Sequence, residues 1–337
     1  MAYASIRNAL IAGAALWSLS GTLITAAEPD AAQIPAKQIQ ADQIQADQIQ
    51  GARDLSARMT VPVTIDGGGP YHFVVDTGAE RTVISRELAD RLALAAGQSV
   101  TVLSIAGTSR VDTAIVSDLK LTQSRSSALS DLEAPTIAEA HLGAAGMLGI
   151  DSLRTKRVVM DFKKMRMSIN DANRPPAKDS DEIVVTARRR LGQLILVDAK
   201  ADGQKISVII DTGSAVTIGN PALRARLEKR GKLGPVTPII ITSVTGEQTL
   251  ADYSSIAHAR IGSVTIDTMP VAFTDALIFH RLGLSDKPAM LLGMDVLRGF
   301  DRVSIDFANK NVRFILPGDA WQSPPPMLAT TAAVRAS

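Results

Sequence analysis

At 337 residues the chain is long enough for two domains, and its 46% hydrophobic and 21% charged residues are those of a folded, soluble protein. Lys and Arg number 36 against 34 Asp and Glu, a net charge of +2 that argues for neither nucleic acid nor a membrane surface as partner. With no cysteine, disulfides, Cys-ligated zinc, iron–sulfur clusters and a Cys nucleophile are excluded, and the scattered His72, His141, His258 and His280 form no zinc motif.

The first 27 residues read as an export signal. Arg7 supplies a positive start, residues 9–25 are apolar or small without a charge, and Thr25-Ala26-Ala27 fits a signal-peptidase site. The same run is nearly long enough to stay as a membrane anchor, so cleaved and anchored forms are both open. Residues 28–54 form a linker built on a Gln-Ile-Gln-Ala-Asp repeat. Its Ile spacing of five suits neither a helix face nor a strand face.

From residue 55 the chain is a tandem duplication. PYHFVVDTGAERTVIS and, later, GMLGIDSL in the first half answer KISVIIDTGSAVTIGN and AMLLGMDVL in the second. Each half reads as mostly β. An apolar strand (72–75, 206–210) ends in Asp-Thr-Gly, and a short strand (82–85, 216–218) and a helix (86–94, 221–229) follow. Next comes a hairpin with Gly near its tip, VLSIAGTSRVDTA or ITSVTGEQTLADY. Each half closes on a β pair, VVMDF/MRMSI or VSIDF/VRFIL. The segment 172–181, with two prolines in a polar run, separates a first domain (55–171) from a second (182–317), and 318–337 reads as a loose tail. DEIVVTARRR reads as an ordinary first strand of the second half. With aromatics at 4%, the core is expected to be Val, Ile, Leu and Ala.

The candidate chemistry lies in Asp76 and Asp211. An apolar strand delivers each carboxylate to a dry site, and the following Gly lets backbone approach closely. Two carboxylates about 3 Å apart cannot both ionise and share one proton. Such a pair can activate a water and protonate what leaves, without metal, Ser or Cys. Ala79 and Ser214 occupy the fourth position of the two loops. A Ser214 hydroxyl donating to Asp211 would make Asp211 the ionised partner and Asp76 the proton holder. Asp151, Asp161, Asp295 and Asp306, which also recur, read as helix caps and strand ends.

FVVDTGAERTVIS, VIIDTGSAVTIGN, MLGIDSL and LLGMDVL resemble the retropepsin-like aspartic proteases, in their bacterial members, over roughly residues 58–316. The resemblance implies an all-β fold of two tandem barrels with pseudo-two-fold symmetry and short helices. It implies catalytic Asp76 and Asp211, with Thr77, Gly78, Thr212, Gly213 and Ser214 supporting them and the two threonines bracing the loops. It makes the tips Ala106-Gly107 and Thr245-Gly246 flaps. The implied protein is a monomeric endopeptidase taking polypeptide, with no metal, no organic cofactor and no nucleic acid, in the periplasm or secreted. It meets a membrane only if the signal stays uncleaved. A non-catalytic periplasmic peptide-binding or scaffold module on the same fold is the alternative.

Overall fold

The computed structural model describes residues 59–122, 128–172 and 181–318. All of them fall within one compact unit, Ile49–Ser337. The expected signal, the 28–54 linker, the interior of the 172–181 linker and the tail beyond Gly318 lie outside the described residues.

Six strands of the first half close into a barrel. Their order is Thr60–Ile65, Gly68–Val75, Gly146–Leu148, Val83–Ser85, Ala128–Ile137 and Thr113–Leu121, which pairs back to the first. Along Thr60–Ile65 the alternation of strand side chains sends Val61, Val63 and Ile65 into the core. Gly68–Val75 changes character along its length. Its inner end, Phe73, Val74 and Val75, is buried on both faces, because there it runs parallel to Gly146–Leu148 inside the barrel wall.

The second half repeats that order with Gln193–Ala201, Gln204–Ile210, Ala289–Leu292, Ile218–Gly219, Val264–Phe273 and Gln248–Ile261. The first and last of these pair again, Ala199 opposite Ile261. The fold is all-β, with two tandem barrels and a few short helices. The helix after each Asp-Thr-Gly loop is capped locally. The Ser85 side chain accepts from the Leu88 N–H, and Asn220 accepts from Leu223 with Pro221 in the first turn. The first of these helices is shorter than expected. It ends at Arg91, because Ala93 turns left-handed at φ 49°.

The closing pairs of the two halves do something their sequences do not announce. Arg166–Asp171 and Lys156–Asp161 from the first half join Arg302–Asp306, Asn311–Ile315 and Glu182–Arg190 from the second in one antiparallel run. Val158 faces Ile305 and Met160 faces Val303 across the seam. At its end Arg157 Nε donates to Asp306 Oδ2 at 3.0 Å, with side chains only 5% and 1% exposed. The scarce aromatics correct the expected core composition. Phe73, Phe279, Phe300, Phe307 and Phe314 are fully buried, and Phe300 packs on Phe314 with centroids 4.7 Å apart.

Candidate active site

The two Asp-Thr-Gly loops meet where the paired parallel strands end. The Asp76 N–H donates to the Leu148 carbonyl at 2.9 Å and that of Asp211 to Leu292 at 3.0 Å, so each loop is seated on the strand carrying the downstream Leu-Gly. The Asp of each Leu-Gly-x-Asp motif then holds the chain leaving the loop. Asp151 accepts from the Thr82 N–H and hydroxyl at 2.8 and 2.7 Å, and Asp295 accepts from Thr217 at 2.9 and 2.7 Å. These two aspartates brace the site from behind, which is why the motif recurs so far from the loops. Burial pushes Asp295 up to about 6, against the pull of its bonds to Thr217.

Thr77 and Thr212 lock the loops together. Thr77 Oγ1 donates to the Ile210 carbonyl at 2.8 Å and accepts from the Thr212 N–H at 3.1 Å. Thr212 Oγ1 returns both bonds, to the Val75 carbonyl at 2.6 Å and from the Thr77 N–H at 3.2 Å. Every polar atom of this buried exchange has a partner in the opposite half.

Above the brace the carboxyls of Asp76 and Asp211 hydrogen-bond to each other, and the residues are only 9% and 8% exposed. Each lies against the other loop's glycine. A Cβ on Gly78 would sit 2.5 Å from Asp211 Cγ, and one on Gly213 only 2.2 Å from Asp76 Cγ. No side chain fits there, so glycine follows from the close approach itself. Asp76 Oδ1 accepts from the Gly78 and Ala79 N–H groups at 2.7 and 2.9 Å. Asp211 Oδ1 accepts from Gly213 and Ser214 at 2.9 and 3.2 Å.

The hydroxyl bond from which the sequence assigned the proton to Asp76 is not made. The Ser214 hydroxyl donates to the Val216 carbonyl at 2.7 Å, and it is the Ser214 N–H that reaches Asp211. Burial, then the charge of Asp76 and the bond between the carboxyls, hold Asp211 well above the usual carboxylate range.

Two hairpins stand over the pair, Val100–Leu103 with Thr108–Val111 and Thr237–Thr242 with the start of Gln248–Ile261. Ala106-Gly107 and Thr245-Gly246 lie at their tips. Each tip reaches the opposite half. Ile105 packs against the cluster of Ile209, Ile218 and Leu291, and Val244 against that of Val74, Val83 and Met147. Gly246 turns at φ 86° against the His141 ring, which leaves no room for a Cβ. Glu247 ties the tips together, accepting from Ser104 Oγ at 3.1 Å and Thr245 Oγ1 at 3.3 Å and from the Ser109 hydroxyl. The Ser109 bond, with those of Ser104 and Thr245, holds its carboxyl below the ordinary glutamate range despite some desolvation.

Between hairpins and pair lies a cleft of about 240 Å³ holding both aspartates. Its lining includes Gln193 and the Glu80–Arg281 ion pair, closed at 2.6 Å between the halves. Sequence reasoning singled out none of these three, nor Glu247. Gln193 leaves one signal, a lone amide at the head of the apolar run QLILV. A more open cavity of about 650 Å³ shares Glu80, Arg81 and Arg281 with the cleft but holds neither aspartate. Among the described residues no cluster of three or more His, Asp or Glu is placed to hold a metal ion.

Two duplicated barrels that bring one Asp-Thr-Gly loop each to a common cleft define the retropepsin-like class. The profile of the aspartyl protease family matches residues 61–152 and 197–296, together more than half of the chain, and the protein belongs to that family. No curated protein matches the chain.

Proposed function

We propose that the protein is an aspartic endopeptidase whose single active site takes Asp76 from one half and Asp211 from the other. The observation that carries this reading is the pairing itself: two buried carboxyls in mutual hydrogen bond, each against the other loop's glycine. A polypeptide lies extended between the hairpins, acting as flaps, and the floor of the cleft. Asp76 takes a proton from a water as its oxygen attacks the scissile carbonyl carbon. Asp211 gives its proton to the carbonyl oxygen, leaving a neutral tetrahedral diol. Asp76 then protonates the amide nitrogen, the C–N bond breaks, and Asp211 recovers a proton from the diol hydroxyl. No covalent enzyme intermediate forms and both carboxyls return to their starting state.

Export to the periplasm or beyond is part of this proposal and rests on the N-terminal sequence. Intact mass of the protein recovered from cells separates a cleaved signal from an anchor. The catalytic reading is tested by incubating purified protein with an unfolded protein mixture from pH 3 to pH 8, beside Asp76→Asn and Asp211→Asn. Each variant is expected to lose on the order of 10²–10⁴-fold in rate. Cleavage surviving in either would reject the pair. Peptide binding without cleavage by the wild type would favour the binding-module alternative.

A further inference from the structure

Gln193 opens the strand Gln193–Ala201 of the second half, yet its side chain serves the first. Its Nε2 donates to the Gly78 carbonyl at 2.6 Å, two residues from Asp76. The residue is 1% exposed and lines the cleft together with both aspartates. The bond to Gly78 sets the amide's orientation, since only the nitrogen can donate. The oxygen is therefore an acceptor, and Oε1 is buried with no hydrogen-bond partner among the described residues. Folded proteins leave few buried acceptors unmatched, because the desolvated lone pairs have lost water and gained nothing. One that lines a cleft has a natural donor in whatever the cleft binds.

The surroundings of Gln193 are not repeated on the other side. Behind Asp76 the loop continues with Glu80 and Arg81, and Glu80 is paired with Arg281. Behind Asp211 the same two positions are Ala215 and Val216, and Val216 packs against the cluster of Ile239, Ala251 and Ala272. The Glu80–Arg281 pair thus has no counterpart behind Asp211.

We infer that Gln193 is a specificity-determining residue, whose Oε1 accepts a hydrogen bond from a donor-bearing substrate side chain, neutral or cationic, on the Asp76 side of the scissile bond. This inference rests on the peptide-cleaving reading above. A carboxylate there brings an acceptor to an acceptor and is rejected. An apolar residue leaves Oε1 unpaired and binds less well.

The test uses the full chain carrying Asp76→Asn, so that binding is read without turnover. Octapeptides in which each position in turn is Gln, Met, Lys or Glu are titrated by fluorescence anisotropy. At one position Gln is expected to bind about tenfold more tightly than its near-isostere Met, with Glu weaker than either. Adding Gln193→Leu should level Gln with Met at that position and leave the other positions unchanged. Gln193→Glu keeps size and acceptor and should move the preference at that position to Lys. A Gln preference that survives Gln193→Leu overturns the inference. So does an equal loss for every peptide, the signature of a residue that only braces Gly78. Failure of the protease reading shows separately, as wild-type protein that binds these peptides and cuts none.

Discussion

Adding one methyl group at Gly213 should disable the site while leaving the barrels intact. The new Cβ of Gly213→Ala would lie 2.2 Å from Asp76 Cγ and Oδ2 and 2.5 Å from Oδ1. Carbon atoms in contact settle about 3.5–4.0 Å apart, so the carboxyl and the loop must separate by about 1 Å or more. The carboxyl cannot swing aside freely, because Gly78 and Ala79 hold its Oδ1 at 2.7 and 2.9 Å. The displacement therefore falls on the approach of Asp76 to Asp211. A misplacement of about 1 Å at reacting groups costs on the order of 10²-fold in rate. Gly78→Ala meets Asp211 Cγ at 2.5 Å and should behave alike. The assay is steady-state cleavage of a fluorogenic peptide beside thermal unfolding of the same preparations. We expect kcat to fall by about 10²-fold or more in both variants with circular dichroism unchanged. Rates within a few-fold of wild type would refute the argument that the two loops are held in direct contact.

The seam between the halves should be sensitive to losing one member of its buried ion pair. Arg157→Met leaves the Asp306 carboxylate, 1% exposed, without its cation and with only the Asn309 donors, at a cost of about 3 kcal/mol, or on the order of 10 °C in melting temperature. Arg157→Met with Asp306→Leu should recover much of that loss by calorimetry. The hairpin tips should loosen in acid. The Glu247 carboxyl is held below its ordinary value of 4.5, so its contribution is present above that pH and is lost as pH falls through the lower folded value. Protection of the Gly107 and Gly246 amides from exchange, relative to their intrinsic rates, should fall below that point, and Glu247→Ala should remove this pH dependence of protection. Asp295 behaves oppositely. Its pKa is raised from 3.8 to about 6, so the folded state holds its proton more tightly and stability from this group declines as pH rises between those values. Carbon-13 titration of the Asp295 carboxyl should show a midpoint near 6.

The repeated local patterns of the sequence carried most of the architecture. Two Asp-Thr-Gly triplets after Val/Ile strands, two Gly-tipped hairpins and two Leu-Gly-x-Asp segments are each legible alone, and their common order located the loops and the hairpins, while the threonine brace came only from the resemblance to the aspartic proteases. What local patterns cannot carry is a contact between unlike positions far apart. Glu80 meets Arg281, and Arg157 meets Asp306, only because the halves share a cleft and a sheet. Gln193 stands in a run whose alternation says only that it is a strand. Glu247 follows the Gly of its hairpin where the first half has Thr108, and its partners Ser104 and Ser109 belong to the other hairpin. The Ser214 hydroxyl bond expected at Asp211 failed for a related reason. A hydroxyl beside an aspartate has several acceptors in reach, and the nearby Val216 carbonyl took it.

The central claim is that Asp76 and Asp211 form one coupled pair with the proton on Asp211. It is tested most directly by titrating the aspartate carboxyl carbons by NMR, in wild type and in Asp76→Asn. The account predicts that Asp211 keeps its proton well above the ordinary carboxylate range, because of its burial and the neighbouring Asp76 charge. In Asp76→Asn its midpoint should fall, while burial still holds it above that range. Two carboxyls titrating independently near the ordinary aspartate value of about 3.9, with no response of one to loss of the other, would contradict it.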